Sequence, residues 1–118
     1  MSTPIPPECS EADLPDPLPL TLDRVALVAK GLAHPARIRI VELFLDHRCR
    51  TAHEVVDACE LAQSTVSEHL RILREAEILS ARKDGPRTWY CMRRSVVHQF
   101  AQAVEELTSA EVAFAEVV

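Results

Sequence analysis

Two short helical patterns separated by a three-residue connection most constrain what this chain can fold into. The first helix is predicted to begin after the N-cap Thr51, which has Glu54 three residues later at capping-box spacing, and to end at about Cys59. The second is predicted from its cap Ser64 to about Ala76. Its apolar stripe consists of Val66, Leu70 and Leu73. The pattern predicts two packed helices joined by a tight turn.

A turn cluster between two strand-like runs follows these helices. The residues Asp84-Gly85-Pro86-Arg87 separate residues 78–83 from an aromatic-rich run at 88–92, which predicts a β-hairpin. Basic residues at the tip of this hairpin are Arg82, Lys83 and Arg87. A hairpin with a cationic tip is suited to contact a phosphate backbone.

Three further helices are expected, which makes the chain mainly α with a small β-hairpin. They are predicted from Leu22 to about Ala33, from Pro35 to about His47, and from about Ser95 onward. The second of them should be nearly fully buried. Residues 1–20 hold six of the eight prolines and are predicted to form a flexible, acidic arm, which leaves 21–118 as the folded domain.

Composition excludes several classes of protein. A chain of 118 residues has the size of one domain, and it contains no run of about 18 apolar residues that could span a membrane. The N-terminus lacks the pattern of a signal peptide, so a cytoplasmic location is expected. The sequence has two glycines, no nucleophile–base pair and no cofactor loop, so an enzymatic activity is not expected.

The distribution of charge keeps nucleic acid among the expected partners, although the net charge is −5. Residues 1–20 carry four acidic residues and no basic one, and residues 101–118 carry another four acidic residues. All 13 basic residues lie between Arg24 and Arg94, against 10 acidic residues there. A phosphate backbone responds to this local positive charge rather than to the sum over the chain.

Two short helices followed by a basic hairpin form a winged helix-turn-helix. The major groove of B-DNA admits one helix, and the polar side chains near its N-terminus must reach the base edges. The predicted DNA-binding residues of the second helix are Gln63, Ser64, Thr65, Ser67, Glu68, His69 and Arg71, with Gln63 and His69 in supporting roles. On the hairpin, Arg82, Lys83 and Arg87 are predicted to hold phosphates or to enter the minor groove.

Three segments resemble the ArsR/SmtB family of small dimeric bacterial repressors. The run from Lys30 to Ile40 resembles that family's entry helix, and Gln63 to Leu70 resembles its recognition helix. Gly85, Arg87 and Tyr90 resemble its wing, with Pro86 inserted. The resemblance implies a homodimer held mainly by the first and last helices. It also implies binding to an imperfect palindrome of double-stranded DNA, and release when an inducer binds.

The four cysteines bear on the inducer. In a reducing compartment they are expected to be free thiols, metal ligands or redox groups rather than structural disulfides. Cys49 lies in a polar stretch that is expected to be exposed, where Arg48 and Arg50 would favour its thiolate. Cys9 lies on the arm. Cys59 is expected to be a small buried hydrophobic residue, and Cys91 a filler residue in the core or facing solvent, rather than metal ligands.

The family resemblance implies how the arm could take part. Some arsenic-responsive members join arm cysteines of one subunit to a cysteine before the helix-turn-helix of the other, and Cys9 and Cys49 match two of those positions, with Ser10 at a third. As(III) is the first candidate inducer, and Hg(II), Cd(II) or Pb(II) come next. Two alternatives stay open. One is a repressor of the same fold without a metal inducer, whether constitutive or redox-controlled, and the other is a winged helix that binds protein.

Overall fold

The computed structural model describes residues 21–108. The predicted arm, residues 1–20, lies outside the described residues, as do residues 109–118. The elements of the described part, in chain order, are α1 (Leu22–Leu32), α2 (Pro35–Glu42), β1 (Arg50–Thr51), α3 (Ala52–Cys59), α4 (Gln63–Glu75), β2 (Leu79–Asp84), β3 (Arg87–Met92) and α5 (Arg94–Leu107). The predicted architecture, mainly α with a small β-hairpin, is confirmed.

The three strands form one antiparallel sheet in the order β1-β3-β2. β2 and β3 make the predicted hairpin, with a register that extends from the Leu79–Met92 pair to the Asp84–Arg87 pair. Strand β1 pairs with the other edge of β3, which places Thr51 opposite Trp89. Sequence patterns did not predict β1, because a strand of two residues has no measurable periodicity.

Alternation along β3 directs its side chains into two separate apolar clusters. Met92 joins the main core, against which Tyr90 packs. Trp89 and Cys91 point to the other face of the sheet, where they form a second buried cluster with Cys49. The main core is built from buried residues of every helix, among them Val28, Ile40, Val55, Val66, Leu70, Leu73 and Val96.

Two predicted helix boundaries are wrong. Helix α4 begins at Gln63 with Ala62 as its N-cap and no side-chain cap, so Ser64 lies inside the first turn. Helix α2 ends at Glu42 rather than near His47, because the chain continues in a tighter turn in which Phe44 N donates to Val41 O at 3.0 Å.

Helix α2 and the turn after it are buried on one face only. Ile40 and Phe44 enter the core, whereas Ile38 and Leu45 are 48% and 57% exposed. The expectation of a nearly fully buried helix is thus wrong.

No helix within residues 21–108 is long and apolar enough to cross a membrane.

Candidate nucleic-acid interface

Helix α4 presents one polar face to solvent and fixes the opposite face in the core. Val66, Leu70 and Leu73 are at most 1% exposed, so the helix is anchored along its whole length. The predicted recognition residues on the outer face are exposed, namely Gln63, Ser64, Thr65, Ser67, Glu68 and Arg71. A rigidly anchored helix with hydroxyl, amide, carboxylate and guanidinium groups on its open face has what the major groove requires.

Arg71 is held by two carboxylates of its own helix. Its Nη2 and Nε donate to Glu68 at 2.5 and 3.0 Å, and its Nη1 donates to Glu75 at 2.6 Å. These contacts lower the pKa of Glu68 and raise that of Arg71, which favours the charged form of both groups. Because they are exposed, a phosphate or a guanine edge can exchange with either carboxylate at small cost.

His69 lies behind this surface, since it is 8% exposed and packs toward α2. Its Nδ1 is 3.3 Å from Arg37 Nη1, and its ring centroid is 4.7 Å from that of His34. Burial, followed by the charges of His34 and Arg37, lowers the pKa of His69, which favours the neutral imidazole. This position fits the supporting role predicted for His69.

Arg37 is a positioning residue that sequence reasoning did not single out. Its Nε donates to Gly31 O at 2.7 Å and its Nη2 to Lys30 O at 3.3 Å, so it caps the C-terminal carbonyls of α1. Through His69 the same side chain reaches the recognition helix. The only signal for it in the sequence is its place in the entry-helix segment.

The hairpin carries its basic residues at the tip, as predicted. Arg82, Lys83 and Arg87 are all exposed, and Arg87 is paired in register with Asp84. The turn between the strands contains Gly85 at φ +63°, a backbone conformation that glycine adopts without steric cost. The hairpin therefore extends a cationic end away from the core.

The environment expected for Cys49 is wrong. The residue is 3% exposed, and its sulfur is bonded to that of Cys91, so these two cysteines are not free thiols. An extended backbone sends neighbouring side chains to opposite faces, so arginines on both sides do not keep the residue between them at the surface. The nearby guanidinium of Arg50 is bound by Asp46 at 2.9 and 2.5 Å.

The remaining cysteines and histidines form no evident metal centre within residues 21–108. That segment contains no group of three or more His, Cys, Asp or Glu side chains placed to hold an ion. Cys59 is a free, buried thiol, as expected. Cys9 lies outside the described residues, so its pairing with Cys49 stays a prediction.

A cleft of about 720 Å³ opens between the start of α3 and strand β3. It is bounded by the two residues flanking Cys49, by the first turn of α3, and by the beginning of β3. Cys49 and Trp89 are both among its lining residues, whereas Cys91 is not. The cleft therefore extends to one of the two residues of the disulfide.

Helices α1 and α5 expose apolar side chains that the described part of the chain leaves uncovered. Leu22 and Leu27 of α1 are 88% and 42% exposed, and Val104 and Leu107 of α5 are 39% and 68% exposed. Such residues on the first and last helices of residues 21–108 form an apolar surface suited to a protein interface.

Several known proteins with similar sequences are transcriptional regulators. Residues 34–81 match the model of the bacterial regulatory proteins of the arsR family. The transcriptional repressor SmtB of Mycobacterium tuberculosis is 36% identical over 97 residues, which cover 82% of this chain and 68% of the repressor. These regulators are not enzymes, in agreement with the prediction from sequence.

Solved structures agree with the sequence relatives. A homodimeric winged helix-turn-helix DNA-binding domain from Mycobacterium bovis has a TM-score of 0.61 and 29% identity, with 76% of this chain and 85% of that domain covered. A possible transcriptional regulator for arsenical resistance has a TM-score of 0.62 and 26% identity, with coverage of 79% and 92%. The chain is a transcriptional regulator that belongs to the ArsR/SmtB family of winged helix-turn-helix proteins.

Proposed function

We propose that the protein is a homodimeric repressor that binds an imperfect DNA palindrome and leaves it when a soft metal or metalloid ion binds. The observation that carries the DNA part is the anchored helix α4 with its exposed recognition face, followed by a hairpin with a basic tip. Relatives named as transcriptional repressors support the direction of regulation.

Dimerisation is supported by the apolar surface of α1 and α5. Leu22 and Leu107 would otherwise remain in water at a cost of about 1.5–3 kcal/mol for each large side chain left unburied. The homodimeric state named for the Mycobacterium bovis domain supports a pairing of two copies. A dimer would place two copies of α4 on successive half-sites about one helical turn apart.

The proposed roles, base recognition by α4 and phosphate contact by the wing, can be tested by fluorescence anisotropy on a duplex from the DNA upstream of the gene. Arg71→Ala is expected to weaken binding and to relax base preference, because its side chain is on the reading face. Arg82→Ala should weaken all sequences alike and reduce the salt slope by about one unit. Arg39→Ala, which removes the same charge from α2, is the control. Equal loss of specificity in Arg71→Ala and Arg82→Ala would contradict the proposal.

The inducer proposal is that Cys9 of one subunit and Cys49 of the other bind the ion as thiolates. As(III) is the first candidate, followed by Hg(II), Cd(II) and Pb(II), because soft ions prefer thiolate ligands. Cys49 precedes the helix-turn-helix and is among the residues that line the cleft, which supports contact with an arm once its disulfide is reduced. Reduction of the Cys49–Cys91 disulfide would also release Cys91 beside it, and As(III) favours three thiolates.

Induction is tested by adding each ion to the protein–DNA complex under a phosphine reductant. Wild type is expected to release the duplex with one of the ions, and Cys9→Ser and Cys49→Ser should resist release. Cys59→Ala, which removes a buried thiol that has no role in the proposed site, should respond as wild type does. Unchanged release in both serine variants would refute the thiolate site.

A further inference from the structure

We propose that Cys49 and Cys91 form a reversible dithiol–disulfide site through which the protein responds to peroxides or to low-molecular-weight disulfides. The effect on DNA rests on the proposed function, whereas the thiol chemistry does not. Three features of the structure carry the proposal: the register of the two residues, the position of Cys49 on the cleft, and the two elements that the bond connects.

The two residues face each other across the sheet without any rearrangement. β1 pairs Arg50 with Tyr90 and Thr51 with Trp89, and continuing that register by one residue sets Cys49 opposite Cys91. Their Cα atoms are 4.5 Å apart, the separation of directly opposed residues in a non-hydrogen-bonded antiparallel pair. It also lies within the range that disulfides span. The bond can therefore form and break on the same backbone.

Formation of the Cys49–Cys91 disulfide is a balanced reaction with either a peroxide or a small disulfide as the oxidant. The Cys49 thiolate attacks a peroxide oxygen, which breaks the O–O bond and gives a sulfenic acid and water or an alcohol. The Cys91 thiol then attacks that sulfur, so the S–O bond breaks, the disulfide forms and one water molecule leaves. With a small disulfide, Cys49 forms a mixed disulfide and Cys91 displaces the second small thiol, so two small thiols are released for each protein disulfide.

The position of the cleft favours one order of attack. Cys49 is 3% exposed and is among the residues that line the cleft, which brings a small oxidant next to this residue. Cys91 is 8% exposed and is not among the lining residues. In the proposed site Cys49 attacks the oxidant and Cys91 resolves the intermediate. The free thiol Cys59 belongs to the main core instead, and it has no place in this exchange.

The bond connects the wing to the start of the helix-turn-helix. Cys49 directly precedes β1, and Thr51 at the end of β1 is the N-cap of α3. Cys91 lies on β3, the strand that returns from the basic tip, 42 residues farther along the chain. The β1–β3 ladder holds only two residue pairs, so the disulfide is the strongest link at that edge. Its reduction removes the covalent tie between the wing and the segment that leads into α3.

In a compartment with small thiols, the Cys49–Cys91 bond is expected to form and break reversibly rather than to persist. A transcriptional regulator works in the compartment that holds the DNA, where small thiols keep most cysteines reduced. Disulfides that persist there are usually transient or redox-sensing. The oxidised form ties the base of the wing to the segment before α3, and such preorganisation lowers the entropy cost of binding. Oxidised protein is therefore expected to bind DNA at least threefold more tightly than reduced protein.

The experiment compares full-length wild type, Cys49→Ser, Cys91→Ser and Cys59→Ala after treatment with dithiothreitol, and then with hydrogen peroxide or oxidised glutathione. Free thiols are counted by alkylation and intact mass, and peptide mapping identifies the bonded pair. Trp89, the only tryptophan, shares the buried cluster with both sulfurs, so its fluorescence reports the bond. Anisotropy on a duplex selected by wild type from a random pool measures the affinity.

Oxidation is expected to remove two thiols from wild type and from Cys59→Ala, to link Cys49 with Cys91, and to quench Trp89. Both serine variants should keep the low affinity of reduced wild type. A disulfide that does not form, one that joins Cys49 to Cys9, or one that forms without changing DNA affinity overturns the proposal. If no duplex binds in either state, the proposed function fails, while thiol counts and Trp89 fluorescence still decide the redox pair.

Discussion

Replacing Gly31 by alanine tests the close contact between α1 and the end of the recognition helix. A Cβ atom at this position would lie 2.9 Å from Ala76 Cβ and 3.0 Å from Ile78 Cδ1. The side chain of Ala76 has no rotamer to change, and Ile78 is fully buried. The methyl group can therefore be accommodated only if α1 moves away from α4 and the core behind it.

Two opposing terms set the magnitude. Alanine is favoured over glycine inside a helix by about 1 kcal/mol. Overpacking a well-filled core costs about 1–3 kcal/mol. The contact is short on two sides and one partner is rigid, so the clash is expected to exceed the gain. Gly31→Ala should thus lower the free energy of unfolding by about 1 kcal/mol, within the 0–2 kcal/mol that these two terms allow.

The assay is urea unfolding followed by the fluorescence of Trp89, at fixed protein concentration because a dimer's stability depends on it. Ala76→Gly, which removes the methyl group on the other side, serves in a double-mutant cycle with Gly31→Ala. The double variant should recover part of the loss, with a coupling of about 0.5–3 kcal/mol. If Gly31→Ala is more stable than wild type and the two changes are additive, the close approach is refuted.

Three further outcomes are expected from the local geometry. Thr51→Ala should lower the free energy of unfolding by about 1–2 kcal/mol, because Thr51 Oγ1 accepts from Glu54 N at 3.2 Å. Thr51→Ser, which keeps the hydroxyl group, should retain most of the wild-type stability when both variants are unfolded with a chemical denaturant. Leu73→Ala should lower the free energy of unfolding by about 2–5 kcal/mol, whereas Leu45→Ala at an exposed position should lower it by less than about 0.5 kcal/mol. Similar losses in the two variants would contradict the difference in burial between Leu73 and Leu45. The lowered pKa of His69 means that the unfolded state binds more protons below about pH 6.5, so stability should fall as pH falls from there. His69→Gln should flatten this part of the stability–pH curve, and an unchanged curve would show that His69 does not titrate as inferred.

Local patterns were sufficient to predict α3, the reading face of α4 and the hairpin. The capping box of Thr51 and Glu54 formed as expected, with both of its hydrogen bonds present. The apolar stripe of α4 is buried, and Ser64 and Arg71 on the other face are exposed. Such features depend on residues within one or two turns of each other, which a sequence displays directly.

The boundaries of α2 and α4 were predicted less accurately than the existence of the helices themselves. The cap expected at Ser64 moved to Ala62, because α3 ends with Glu60 in a left-handed conformation that sets where the next helix can begin. The exposed Ile38 shows a similar limit, since the packing of α2 on its neighbours buries Ile40 and leaves Ile38 in solvent. Helix ends respond to the packing of neighbouring elements as much as to their own residues.

The sequence by itself determined the helix-turn-helix, the hairpin and the basic middle of the chain, because these follow from short-range periodicity and charge. Only the tertiary structure brought Cys49 to Cys91 across 42 residues, and Arg37 to His69 across 32. The first contact depends on the register of a two-residue strand, and the second on how α2 crosses α4. Neither leaves a periodic trace in the sequence, because each arises from packing between segments that are remote along the chain.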